Sequence, residues 1–159
     1  MGTLFQDLSR RDLSSELPCL LDWLLDDRRF QGDCWNQATK AAFTKRVRKL
    51  EGMGTEAFNR KSRSLKYPAF RSKRNRKKKP FAVISSSGSL GVDLVRHIRN
   101  GIAHGNADLY TANTLDFIEV KDFGLKGQTA FIAVPLSYLF SIYRIYREIE
   151  REHAGCGSP

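Results

Sequence analysis

The stretch VRHIRNGIAHGNAD, residues 95–108, concentrates side chains that can move protons and bind phosphate. It contains two of the three histidines of the chain, His97 and His104, together with Arg99 and Asn100. A histidine titrates near neutral pH and can act as a general acid or base without a metal, while an arginine can bind a phosphodiester and stabilise added charge on it. In RNA the 2′-hydroxyl is a built-in nucleophile, so a set of this kind could suffice for strand cleavage.

The spacing of apolar residues predicts a helix from about Leu90 to Ala103, with Gly105 as its C-terminal cap. At about 100° per residue, the side opposite the apolar stripe is polar, and we expect it to face away from the core. It comprises Asp93, Arg96, His97, Asn100 and His104, with Arg99 on the flank. Two histidines and one carboxylate at these separations do not suit a metal ion, so we expect neither a metal nor a cofactor. Spacing alone leaves open that the stripe is an ordinary solvated helix face.

The sequence RNGIAH, from Arg99 to His104, resembles the Arg-polar-x-x-x-His signature of the HEPN superfamily (higher eukaryote and prokaryote nucleotide-binding domains). The resemblance covers about residues 10–153 and is nearest to the plasmid- and defence-associated branches, some of which carry a hairpin insertion. It implies a small helical bundle with the motif at the C-terminal end of a helix. It also implies a homodimeric, metal-independent endoribonuclease that leaves a 2′,3′-cyclic phosphate and a 5′-hydroxyl.

The resemblance assigns a role to three residues by position. Arg99 would bind and polarise the scissile phosphate, Asn100 would orient phosphate or ribose, and His104 would move the proton. One motif histidine per chain supplies a base or an acid but not both, and two copies of His104 across a twofold axis would supply the pair.

Three neighbours lie outside the signature. Asp93 is a candidate for holding a motif side chain, or else a member of an ordinary salt bridge. Arg96 is a candidate phosphate contact, with a solvated arginine as the alternative. We expect His97 to be a bystander or a packing residue.

A second feature is the concentration of the net charge of +10 in one segment. Eleven Lys or Arg residues lie between Arg60 and Lys79, and without them 16 basic and 17 acidic residues remain. Such a cluster suits a polyanion, because each neutralised phosphate releases counterions. We expect a loop or arm at 60–80, in which Tyr67 and Phe70 either stack on bases or pin the arm to the core. The predicted RNA-binding residues are Arg71, Lys73, Arg74, Arg76, Lys77, Lys78 and Lys79.

The periodicity of the whole chain predicts a mainly α fold: a HEPN-like bundle of four to five helices forming one domain over residues 1–159. Helices are expected at about 15–30, 36–53 and 90–103, and Pro135 is expected to open the last one. The segments TLDFIEV and QTAFIAV predict a β-hairpin at about 115–134, inserted before that last helix.

No apolar segment has the length of a signal peptide core or a membrane span, and three sparse cysteines fit a reducing compartment, so we expect a cytoplasmic protein without membrane contact. The resemblance implies a toxin or phage-defence effector, with an antitoxin or regulatory protein as a further partner. The alternative function is a catalytically inactive RNA-binding or scaffold module that uses the basic arm. A third interpretation, a nuclear-import or DNA-binding tail, lacks a helix-turn-helix pattern to support it.

Overall fold

The computed structural model describes residues 17–25, 35–50, 54–58, 80–86, 88–125 and 127–154. In these ranges the elements are α1 (Leu17–Leu25), α2 (Gln37–Arg48), β1 (Gly54–Phe58), β2 (Phe81–Ser85), α3 (Leu90–Ala103), β3 (Ala107–Ala112), β4 (Leu115–Gly124), β5 (Gly127–Pro135) and α4 (Leu136–Ala154). Apart from Pro80, the predicted basic arm lies outside the described residues, and so do Tyr67, Phe70 and the seven predicted RNA-binding side chains.

The strands form one sheet in the order β1-β2-β5-β4-β3. Strand β1 runs parallel to β2, whereas the β2–β5, β5–β4 and β4–β3 pairs are antiparallel. The fold is therefore mixed α/β, and the prediction of a mainly α, HEPN-like helical bundle was wrong. The predicted hairpin at 115–134 is confirmed as β4 and β5, but it is one part of a larger sheet.

Three strands were missed for local reasons. The apolar run FAVIS of β2 is too short to be distinguished by periodicity from a lead into the next helix. Strand β3 joins β4 through Asn113 and Thr114, whose φ values are 50° and 64°. Positive φ at both central residues is what a tight type I′ hairpin turn requires, but its usual Asn-Gly signal is absent. Strand β1 begins where the second helix was expected to be ending, and α2 stops at Arg48 instead of near Met53.

The helices and one face of the sheet enclose the main core. Helix α3 contributes its predicted apolar stripe, and its bounds coincide with those expected from the sequence. On the sheet side, alternate residues of the central strands point into the same cluster, as the two-residue repeat of a strand dictates. They are Ala82 and Ile84 of β2, Ile118 and Val120 of β4, and Ala130, Ile132 and Val134 of β5.

Aromatic rings join α1, α2 and α4 over this core. Trp35, just before α2, stacks on Tyr146 of α4 with ring centroids 5.1 Å apart, and Trp23 of α1 lies 5.2 Å from the same ring. On the surface, both oxygens of Glu152 accept hydrogen bonds from Arg46, at 2.8 and 2.9 Å. Trp23, Trp35 and Tyr146 thus connect the three helices to one another.

Helix α3 and strand β4 approach each other most closely at Gly101. A Cβ at this position would collide with Cγ1 of Val120 and would lie 2.8 Å from the carbonyl oxygen of Lys121. The Lys121 oxygen belongs to the backbone, so a change of side-chain rotamer cannot move it away. The glycine inside the motif is therefore explained by packing: only hydrogen fits between the helix and the strand.

We expect Gly101→Ala to destabilise the protein by about 1–3 kcal/mol, because the methyl group overpacks this contact. Helix propensity alone predicts the opposite sign, a gain of up to about 1 kcal/mol. Urea unfolding of the variant beside the parent distinguishes the two. Ala103→Ser, an exposed substitution in the same helix, serves as the control and should shift stability by less than about 0.5 kcal/mol. A stabilised Gly101→Ala protein would contradict the close approach.

Candidate functional site

The polar side of α3 is partly buried, so the expectation that it faces away from the core was wrong. Asp93 is 2% exposed and His97 is 3% exposed. The cause is that α3 packs on α1 and α2 as well as on β2, β4 and β5, which leaves little of its circumference in water. Burial then decreases along the helix: Arg99 and Asn100 are half-buried, and His104 is exposed.

His97 is the centre of a buried polar network. Its Nδ1 lies 2.6 Å from Oδ2 of Asp122, on β4, and its Nε2 lies 2.8 Å from the backbone oxygen of Ser85, at the end of β2. A carbonyl and a carboxylate only accept hydrogen bonds, so each ring nitrogen of His97 faces an acceptor. His97 therefore joins α3 to two strands through one ring, which goes beyond the packing role expected of it.

Ser85, His97 and Asp122 have the composition of a Ser-His-Asp catalytic triad, and Oγ of Ser85 lies 3.2 Å from Nε2 of His97. The geometry argues against that chemistry. A serine becomes nucleophilic when the histidine nitrogen accepts its proton, but Nε2 donates to the Ser85 carbonyl. Ser85, His97 and Asp122 are each less than 5% exposed, so no substrate could reach the hydroxyl. This cluster is structural.

Asp122 collects three hydrogen bonds on one oxygen. Besides His97, Nδ2 of Asn100 donates to Oδ2 at 3.4 Å, and Oγ1 of Thr129 donates to it at 3.2 Å. Burial raises the pKa of Asp122, but the hydrogen bond and charge of His97, with Asn100 and Thr129, outweigh it and hold the pKa below its ordinary value. Asp122 stays ionised in the core because its partners replace the water that it loses.

Asp93 lies in the first turn of α3 and binds two side chains. Its Oδ1 accepts from Arg96 at 3.0 Å, and its Oδ2 accepts from Oγ of Ser86 at 2.9 Å. Arg96 is half-buried. The hydrogen bonds described for Asp93 therefore link it to the loop before α3 and to its own helix, at the end opposite the motif.

The motif residues occupy the C-terminal end of α3. Arg99 donates from Nε to the backbone oxygen of Leu24 in α1 at 3.1 Å, and Asn100 bonds to Asp122 as above. His104 is the C-cap residue. Gly105 comes next and adopts the left-handed conformation, with a φ of +71°. Its backbone N–H donates to the backbone oxygen of Ile102, in agreement with the capping role predicted for this glycine.

Ser85 was absent from the sequence-based set, and so were Asp122 and Thr129. The latter two come from the hairpin after the helix, and no local signal links either to α3. Asp122 follows Ile118 and Val120 on the face of β4 that meets the helices, next to a register shift between Asp122 and Phe123. The one signal in the sequence is that Asp122 stands where the alternation of β4 predicts an apolar residue. That signal does not indicate which side chain Asp122 binds.

No family model matches the chain, and neither a curated protein nor a solved structure matches it. Within the described ranges, no three His, Cys, Asp or Glu side chains come together as a metal site would require. None of the helices described here has the length and apolar character needed to cross a bilayer.

We expect Asp122→Asn to lower the free energy of unfolding by about 3–5 kcal/mol at pH 7, because it leaves the charge of His97 buried without its partner. The depressed pKa of Asp122 stabilises the fold above the unfolded-state value of about 3.9, and this contribution is lost as the pH falls through the folded-state pKa. The variant should therefore lose less stability on acidification than the parent. Urea unfolding across the acidic range measures both effects.

The control for this experiment is Asp108→Asn, which removes an exposed carboxylate from β3. It should change stability by less than about 0.5 kcal/mol and leave the acid dependence of the parent intact. If Asp122→Asn behaved like this control, the buried pair would not stabilise the fold.

Proposed function

We propose that this chain is a metal-independent endoribonuclease whose site combines Arg99, Asn100 and His104 from two copies. The observation that carries the proposal is the contrast between His104 and its neighbours. Its ring is exposed at the end of α3, and no described residue hydrogen-bonds to it. Arg99 and Asn100, one turn earlier, are each tied to the protein frame. The group that would transfer protons is accessible, while the groups that would orient the substrate are held.

The hydrogen bonds of Arg99 and Asn100 suit the roles proposed for them. The bond from Nε of Arg99 to Leu24 fixes the plane of a guanidinium, which is the geometry that phosphate binding exploits. Because Nδ2 of Asn100 donates to Asp122, the orientation of the amide is restrained, and its oxygen is the atom that would accept from a ribose hydroxyl. Preorganised groups of this kind cost no reorganisation in the transition state.

In the proposed reaction, His104 of one copy takes the proton from the 2′-hydroxyl, and the resulting oxygen attacks the adjacent phosphorus. Arg99 stabilises the charge that develops on the phosphoryl oxygens. The bond from phosphorus to the 5′-oxygen breaks, and His104 of the other copy gives that oxygen a proton. The products are a 2′,3′-cyclic phosphate and a 5′-hydroxyl, and each histidine ends in the opposite protonation state.

The resemblance of residues 99–104 to the HEPN signature supports the same reaction. The sheet departs from the plain bundle which that resemblance implied, so the proposal rests on the motif and its exposure at a helix end, not on the architecture. A cytoplasmic toxin or phage-defence role, restrained by an antitoxin or another regulatory protein, belongs to the same proposal. Its alternative, an inactive RNA-binding or scaffold module, is favoured by the eleven basic residues at 60–79.

We expect purified protein to cleave single-stranded RNA in excess chelator and to leave a substrate of 2′-deoxynucleotides intact. His104→Ala and Arg99→Ala should each reduce the rate by about 10²–10⁴-fold, as loss of a general acid–base or of charge stabilisation does. Gel analysis of labelled RNA measures the cleavage rates, and mass spectrometry identifies the termini of the products. Asn106→Ala, an exposed change just beyond the cap, is the control and should cleave normally. RNA binding without cleavage by the parent would favour the inactive module.

Mixing the parent with His104→Ala tests whether two copies share one site. A heterodimer would contain one reactive imidazole, so activity should fall with the square of the parent fraction. A linear fall would show that each chain works alone and would remove the shared site from the proposal.

The basic segment should contribute affinity. In the His104→Ala background, which keeps RNA intact, replacing Lys77, Lys78 and Lys79 by Gln should weaken binding and flatten its salt dependence by about 0.7 per lost contact. Fluorescence anisotropy over a salt series measures the slope. An unchanged slope would show that these lysines do not touch phosphates.

A further inference from the structure

A cleft lies at the end of α3 opposite the motif. Helix α2 and the segment that leads into α3 enclose a volume of about 420 Å³, within the usual range of ligand sites. Its polar lining includes Gln37, Thr44, Lys45 and Arg48 of α2, with Ser86 from the other wall. Neither the motif nor the buried network of His97 uses these residues.

The cleft is positively charged. Lys45 and Arg48 are exposed, stand one turn apart on α2, and form no ion pair with any described residue. Arg46, between them in sequence, is engaged by Glu148 and Glu152 of α4. The acidic groups of α4 therefore neutralise Arg46, whereas Lys45 and Arg48 have no acidic partner in the part of the chain that the structure describes.

A carboxylate behind the wall of this cleft is already paired. Asp93 is reached through Ser86, which donates to it, and it is paired with Arg96. Because Asp93 is almost fully buried, it presents little negative charge to a ligand in the cleft. An anion entering between α2 and Ser86 would meet the ammonium group of Lys45, the guanidinium of Arg48, the hydroxyl of Thr44 and the amide of Gln37.

Strand β1 ends beside the wall of the cleft. Strand β1 ends at Phe58, which pairs with Ser85, the neighbour of Ser86 in the cleft wall. The eleven Lys and Arg of residues 60–79 follow this point in the sequence.

We propose that this cleft binds the phosphodiester backbone of RNA at a point remote from the cleavage site. The proposal rests on the proposed function, which supplies RNA as the ligand. Helix α3 has 14 residues, and at about 1.5 Å per residue its two ends are about 21 Å apart. A strand that occupies both the cleft and the motif must span several nucleotides, so the preferred substrate is an oligonucleotide, and a dinucleotide cannot use the cleft.

The test uses Lys45→Gln/Arg48→Gln in the His104→Ala background and a labelled single-stranded oligoribonucleotide. Loss of two phosphate contacts should weaken binding and reduce the slope of log K against log salt by about 1.4. The matched control, Arg147→Gln/Arg151→Gln, removes the same charge from exposed positions of α4 outside the cleft. It should leave the slope close to that of the parent. The proposal would be contradicted if the salt slope were the same in His104→Ala and in both double variants derived from it. It would also be contradicted if both double variants lost the same amount of slope.

A second measurement separates this proposal from the nuclease itself. With His104 restored, Lys45→Gln/Arg48→Gln should raise KM for the oligonucleotide and leave kcat/KM for a dinucleotide within about twofold of the parent. If the parent cleaves no RNA, the salt slopes still decide whether the cleft binds it. If cleavage occurs and the slopes do not change, the cleft proposal fails and the nuclease stands.

Discussion

The contact between His97 and Asp122 fixes helix α3 on strand β4, and the location of the motif follows from it. A helix is stiff over its length, so anchoring it at His97 and at the close approach of Gly101 determines where Asn100 and His104 lie. Removing two charges from water is costly, and the pair persists because the Ser85 carbonyl and the Thr129 hydroxyl satisfy the remaining hydrogen-bonding capacity. Asp122 also binds Asn100, so the same carboxylate that secures the fold orients a residue of the candidate site.

The polar residues of α3 divide by depth into two groups with different tasks. Asp93 and His97, which are buried, bond to the loop before α3 and to strands β2 and β4, and so help to position the helix. His104 lies beyond the last turn and is exposed. A buried, tightly bonded histidine is poorly suited to proton transfer with a ligand, and an exposed one at a helix end is well suited to it. One short stretch thus holds two histidines in different environments, one enclosed in the core and one open to solvent.

The sequence predicted α3 to the residue, the β4–β5 hairpin and the cap at Gly105, because each has a strong local signal. It failed for the sheet because β2 is a short apolar run and because the β3–β4 turn lacks the usual glycine. It also failed for the polar side of α3. A helical projection separates polar from apolar residues, but it cannot show that Asp122, distant in sequence, will lie in the core as the partner of His97. The cleft at Lys45 and Arg48 depends likewise on two segments that only the fold brings together.

The order of the strands bears on how the molecule is made. Strand β5 lies between β2 and β4, with Phe81 paired to Ala133, so the central strand is the last one to be synthesised. A nascent chain that has emerged only as far as His104 lacks β4 and β5, the surface on which α3 packs. Pairing so distant in sequence closes late in folding. The sheet order thus makes the motif-bearing helix dependent on a strand translated after it, and an incomplete chain cannot assemble that end of the molecule.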